Sequence, residues 1–175
     1  MSIEVHEYDP AWPDHARAAI AELRAAHPGV FAEIEHVGST AVPGLPAKPV
    51  IDLMAAVPSL DAAPGEVGGG YALIETGMPE RRFYRREPSA SGSTPAVHLH
   101  VVTEDSWATR NERILRDHLL SHPAARDEYG LLKRELAGQD LDGPAYTRAK
   151  TELIQRLVDA ARTERSLPLV SVWEE

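Results

Sequence analysis

Gly38-Ser39-Thr40, taken together with Asp52, is where this sequence gathers residue types able to do phosphate chemistry. A Gly-Ser turn lets backbone N–H groups come close to an anion, and the serine hydroxyl adds a donor. Thirteen residues beyond Ser39, Asp52 interrupts the apolar run Val50-Ile51-Asp52-Leu53-Met54. A carboxylate inside a buried strand is costly unless a cation or metal pairs with it. The functional reading puts phosphate on Gly38 and Ser39 and a divalent metal on Asp52, arranged for in-line attack at phosphorus. The plain reading is a turn, with Asp52 capping a neighbouring backbone group.

Other candidates follow. His98-Leu99-His100 on a strand would turn both imidazoles to one side. Such a pair either binds metal or contacts phosphate, or else bonds to nearby backbone as two half-buried histidines. In Arg81-Arg82-Phe83-Tyr84-Arg85-Arg86 the arginine forks suit phosphate. The alternative is a charged edge strand that resists aggregation. Arg82 is taken as the site arginine. Lys48 lies four residues before Asp52, within reach of a phosphate. Tyr129 with Lys133, and Tyr146 with Lys150, are spaced i, i+4, so each pair shares a helix face. Lys133 and Lys150 are candidate ligand contacts, although most such pairs are structural.

Composition narrows the function classes. The 175 residues suit one domain that buries about 70% of its unfolded surface. A net charge of −9 opposes general nucleic-acid binding, which depends on neutralising phosphates. A small polyanion such as a nucleotide fits a local basic cluster better. Zero cysteines exclude disulfides and thiolate chemistry. No apolar run approaches the ~20 residues of a membrane span, and Met1 to Glu7 lacks a signal-peptide core. A cytoplasmic protein is the expectation. No Walker, dinucleotide-binding, zincin or hydrolase-elbow motif is present.

The elements that must position these residues are read from periodicity and punctuation. A short strand is expected over Glu4 to Tyr8. A helix capped by Asp9 and Pro10 follows, over Trp12 to Ala26. A strand over Val30 to Val37 leads into the turn. A loop stiffened by prolines 43, 46 and 49 then leads to a strand over Pro49 to Val57. A short helix over Leu60 to Val67 and strands over Tyr71 to Glu75, Arg82 to Arg85 and Ala96 to Thr103 come next. Helices over Ser106 to Leu120, Pro123 to Ala137 and Pro144 to Arg162 make the last third helical. This order predicts an α+β domain over residues 1–165, with a loose tail over 166–175.

The run from Ile34 to Leu45, followed by Ala47-Lys48-Pro49-Val50-Ile51-Asp52, closely resembles the GrpB family. The resemblance continues in Tyr8-Asp9-Pro10, Trp12-Pro13, Arg82-Phe83, His98 to Val102, Arg116-Asp117, Leu119, Tyr129, Leu132-Lys133, Tyr146 and Lys150, and covers Val5 to about Ala161. The family is similar to a branch of the nucleotidyltransferase superfamily. That implies a mixed sheet with helices packed on it, a Gly-Ser turn for a triphosphate, and magnesium or manganese on strand carboxylates. It further implies transfer of a nucleotidyl group to an acceptor. Gly38, Ser39 and Thr40 would hold phosphates, Asp52 the metal with His98 and His100, and Lys48, Arg82, Lys133 and Lys150 would neutralise charge. The superfamily's second strand acid is replaced by Met54, and its later-strand acid by His98 and His100. Rival expectations are a non-catalytic module for a nucleotide or CoA-like ligand, a metal-dependent phosphohydrolase, and an interaction domain.

Overall fold

The structure is a computed structural model that describes residues 4–139 and 143–172. Five strands form one mixed sheet: β1 (Glu33–Val37), β2 (Val50–Val57), β3 (Ala72–Ile74), β4 (Arg82–Arg86) and β5 (Ala96–Thr103), in the order β1-β2-β5-β4-β3. The central pair β2 and β5 is parallel, and every other pairing is antiparallel. The four helices are α1 (Trp12–Ala26), α2 (Asn111–Ser121), α3 (Pro123–Ala137) and α4 (Gly143–Glu164). The α+β expectation holds, and no described helix is long and apolar enough to cross a membrane.

Strand alternation divides the sheet into two chemistries. On one face Ile34, Ile51, Leu53, Tyr84, Val97, Leu99 and Val101 pack against Trp12, Ala16, Ala19 and Leu23 of α1, forming the main core. The other face carries Glu35, Asp52, Met54, His98 and His100, as the register Val37–Asp52–His98 and Glu35–Met54–His100 requires. There Met54 is fully buried with Val37 and Val102, and Trp107 packs against them. Helices α2 to α4 bury a second cluster with Val42 and Leu45 of the proline-rich loop, through Leu119, Tyr129, Leu153 and Leu157. Burying those apolar faces is what holds the helical layer beside the polar face of the sheet.

Local corrections have local causes. Asp9 does not cap α1 directly. It builds the turn before it, its carboxylate accepting from Ala11 N–H at 2.9 Å and its carbonyl from Trp12 N–H at 3.0 Å. The first expected strand is a single bridge from His6 to Ala47. The expected helix over Leu60 to Val67 is one 3-10 turn, Leu60–Ala62, because Pro64 and Gly65 cannot extend it. The expected helix from Ser106 opens instead as a 3-10 segment, Glu104–Thr109, before α2. Here the Ser106 hydroxyl donates to the Thr103 carbonyl and accepts from Arg110 Nε, competing with helical backbone bonds. The segment after α4 is tied back, with Gln155 bonding to the Val170 carbonyl and the Val172 N–H.

Candidate functional site

The Gly-Ser turn begins where β1 ends, and Val37 pairs with Asp52. Gly38 sits at φ +75°, and a Cβ there would lie 2.6 Å from Asp52 Oδ2. The glycine is therefore required by the carboxylate of this chain. The expected approach of its backbone to a ligand anion is a separate demand. Ser39–Ala41 form a 3-10 turn. Thr40 is buried and donates its hydroxyl hydrogen to the Val50 carbonyl at 3.0 Å. Its oxygen then accepts from His36 Nε2 at 2.9 Å, which fixes that ring as the Nε2–H tautomer. Burial, ahead of the nearby Arg116 charge, pushes His36 down to about 4, so it is neutral at neutral pH. Thr40 thus locks the turn to β2 and has no hydroxyl hydrogen left for a phosphate.

Strand β5, beside β2, delivers both imidazoles to Asp52. His98 Nδ1 lies 3.7 Å and His100 Nε2 3.6 Å from Asp52 Oδ1. The ring of Phe83 packs against both, with centroids at 5.2 and 5.0 Å. Burial holds His98 below the ordinary histidine range, and the Asp52 charge opposes that only in part. His100 is constrained further. Arg81 Nη1 lies 3.2 Å from His100 Nδ1, and a guanidinium can only donate. Nδ1 must then present its lone pair to Arg81, which leaves Nε2 protonated and aimed at Asp52. A metal-bound histidine shows the reverse pattern, its second nitrogen donating to an acceptor. Arg81 is itself buried and held by Glu80 and Glu112 at 3.0 and 3.3 Å.

Three lysines complete the cleft from the other side. Lys133 is 4% exposed, and its ammonium donates to Ser39 Oγ. Burial, then the charges of Lys150 and Lys48, bring Lys133 down to about 7 despite Asp52. Burial and Lys48 bring Lys150 to about 8. Lys48 and Lys150 lie over the Tyr146 ring, at 5.0 and 4.9 Å, and Lys133 over Tyr129 at 4.6 Å. Burial raises Tyr129 above the ordinary tyrosine value, against a hydrogen bond with Ser39. The i, i+4 pairs on α3 and α4 thus place a tyrosine under each lysine. Ser39, Lys48, Asp52, His98, Lys133 and Lys150 line a cleft of about 230 Å³.

Arg82 is not among them. It pairs with Val101 on the α1 face of the sheet, opposite to the one carrying Asp52. The arginines of this run on the polar face are Arg81 and Arg85, and Arg81 is the buried one that reaches His100. A network that sequence reasoning did not find supports the turn from behind. Arg113 grips both oxygens of Glu35 at 3.0 and 3.1 Å, while Arg116 reaches Glu35 Oε2 at 2.8 Å and the His36 carbonyl at 2.9 Å. Burial raises the Glu35 carboxyl, but these arginines outweigh it and hold it below the ordinary value. This ties α2 to β1 just before Gly38.

A family model described as GrpB protein matches residues 2–160. The chain belongs to the GrpB family. It is 37% identical over 175 residues to a UPF0157 protein of Pseudomonas aeruginosa, with 96% of this chain and 71% of that one aligned. A dephospho-CoA kinase of Mycolicibacterium paratuberculosis is 34% identical over 173 residues, which is 81% of this chain and 42% of that longer protein. Among solved structures, the conserved protein GrpB of Enterococcus faecalis superposes with a TM-score of 0.78 at 26% identity, covering 93% of this chain and 99% of that one. The GrpB fold thus accounts for the sheet and helices together.

Proposed function

We propose that this GrpB-family domain binds a nucleotide or similar small ligand by its phosphates, in the cleft between Asp52 and the lysines of α3 and α4. One observation carries the reading: among the described residues, Lys48, Lys133 and Lys150 surround a single carboxylate, Asp52, in one small cleft. Such a cleft carries excess positive charge, and although burial is the main cause of the lowered Lys133 and Lys150 values, repulsion by neighbouring lysines adds to it. An anion relieves that repulsion. At about 230 Å³ the cleft is smaller than the ~300–1,000 Å³ typical of a site enclosing a whole small ligand. It suits a phosphate group, with the remainder of the ligand lying outside.

A second reading, nucleotidyl transfer from a nucleoside triphosphate to an acceptor, is favoured by Asp52 standing against the Gly38 turn with two imidazoles beside it. Magnesium or manganese prefers oxygen ligands and commonly uses one or two carboxylates plus substrate phosphates. Asp52 and the ligand's own phosphates would hold one such ion, with His98 alongside. Two ions need more carboxylates, and Met54, buried among Val37, Val102 and Trp107, supplies none. The bound ion would offset charge at phosphorus, while Lys133 and Lys150 orient the phosphates and Ser39 donates to them.

Calorimetry with ATP tests both readings, first with chelator and then with magnesium or manganese. Dephospho-CoA serves as a second probe because the kinase relative is named for it. Phosphate binding by the lysines predicts metal-free affinity that Lys150→Gln lowers about tenfold. Asp52→Asn then preserves or tightens it. Binding only with metal, abolished by Asp52→Asn, selects the transferase reading. Absence of binding by either probe under every condition overturns both.

A further inference from the structure

A second cluster, sharing no residue with the cleft, joins the α2–α3 junction to the end of α4. His118 lies in the last turn of α2, His122 is the junction residue between α2 and α3, and Glu164 ends α4. The two imidazoles stack with centroids 3.9 Å apart and planes 19° apart. One ligand atom from each of the three residues lies within 4.8 Å of the others. His122 Nδ1 lies 2.9 Å from the His118 carbonyl, an acceptor, so this nitrogen carries a hydrogen. In the neutral ring Nε2 then presents a lone pair, yet it faces Glu164 Oε1 at 3.0 Å. Two lone pairs at that distance need a cation between them. His118 Nδ1 points into the same space, 3.9 Å from Glu164 Oε2. Its side chain is 4% exposed and this nitrogen has no hydrogen-bond partner. A proton on His122 would satisfy the carboxylate but leave the buried His118 nitrogen unpaired. A single divalent ion satisfies all three atoms.

We propose that His118, His122 and Glu164 form a transition-metal site that clamps the α2–α3 junction to the C-terminal end of α4. Two imidazole nitrogens and one carboxylate are a Zn²⁺ donor set, leaving a fourth position open to water on the solvent side. His122 already has the accompanying contact expected of a ligand, its other ring nitrogen donating to a backbone carbonyl. Tetrahedral zinc places ligand atoms about 3.3 Å apart. An imidazole binds a metal in its own plane, so reaching that spacing takes a tilt of the part-exposed His122 ring out of its stack on His118, with the half-exposed Glu164 moving in. The clamp would brace α4, which carries Tyr146 and Lys150, against the start of α3, which carries Tyr129 and Lys133.

The test uses the full chain without an affinity tag, stripped with chelator and titrated with Zn²⁺ against a chromophoric competitor. Co²⁺ absorption reports coordination geometry. The expected result is one ion per chain at micromolar concentration, retained in Asp52→Asn, with a tetrahedral Co²⁺ spectrum and a higher melting temperature. His122→Ala and Glu164→Gln alter exposed side chains and leave the core intact. Each should weaken Zn²⁺ at least about tenfold and remove the thermal gain. No uptake by the parent chain, or uptake unchanged in both variants, overturns the clamp. Because Asp52→Asn separates the two sites, failure here is distinguishable from failure of the phosphate reading.

Discussion

Ligand binding in this cleft should draw in a proton, and the amount follows from its two buried lysines. Without ligand, Lys133 sits at about 7 and Lys150 at about 8, held down by burial and by neighbouring cations. A phosphate between them favours both charged forms and raises each toward the ordinary lysine value of about 10.4. At pH 7.5, treating the lysines as independent, Lys133 starts roughly one-quarter charged and Lys150 roughly three-quarters, so binding takes up about one proton in total. Affinity is greatest where both amines already hold their protons and falls as pH rises through these values. Between pH 7 and 8 Lys133 contributes about a fivefold loss and Lys150 about twofold, together about tenfold or ~1.4 kcal/mol. The last phosphate ionisation, near 6, is largely complete in that window and adds little slope. The assay is calorimetry of ATP with chelator, in buffers of low and high ionisation enthalpy. Lys150→Gln should reduce uptake twice over, because Lys150 also helps depress Lys133. A binding heat independent of buffer, with affinity flat from pH 7 to 8, would refute the reasoning.

Three further outcomes are expected. Gly38→Ala forces an L-residue into a backbone region essentially reserved for glycine and drives its Cβ into Asp52; urea unfolding should show a loss of about 3 kcal/mol. Lys133→Met should stabilise the ligand-free chain by about 1–3 kcal/mol at pH 7 while abolishing phosphate binding. The unfolded chain keeps a lysine proton that the folded chain sheds at about 7, so parental stability should rise with pH from there to about 10.4, and the variant should lose that share of the slope while keeping the part Lys150 adds above about 8. Glu35→Gln removes the carboxylate that Arg113 and Arg116 share, leaving Arg116 with Asp117 as its acidic partner, and should cost about 2–4 kcal/mol in chemical denaturation. Since the Glu35 carboxyl is lowered, its contribution is present above the ordinary glutamate value and lost as pH falls through the folded one.

Where local pattern and tertiary packing agree, the sequence was legible. Helix α1, strand β5 and helix α3 occupy the spans their periodicity and flanking prolines indicate. The shared face of His98 and His100 followed from alternation, and the register then sets them beside Asp52 and Met54. Phase was the difficulty in Arg81 to Arg86. Alternation separates two sets of arginines, but only pairing with β5 shows that Arg82 belongs with Val101 on the α1 side. Spacing likewise placed Tyr129 with Lys133 and Tyr146 with Lys150. That these faces meet Ser39 and Lys48 depends on how α3 and α4 pack over the proline-rich loop, which no local pattern encodes. The Arg81–His100 contact joins residues nineteen apart and leaves no periodic trace.

The charge arrangement gives Asp52 a task that does not need a metal. In the ligand-free cleft its carboxylate is the group that raises both Lys133 and Lys150, against burial, against Lys48 and, for Lys133, against Lys150. On the phosphate reading it would act as an internal counter-ion that keeps the lysines near enough to ionisation for a phosphate to complete it. Removing that charge has two opposed effects. Asp52→Asn lowers both lysine values in the free protein, so more protons must be taken up on binding. It also removes the negative charge that repels the incoming phosphate. The counter-ion role therefore predicts larger proton uptake in Asp52→Asn without metal, with affinity gained most at pH values low enough for the lysines to be charged already. An Asp52 that served only to hold magnesium would leave metal-free uptake unchanged, and the same calorimetric series separates the two roles.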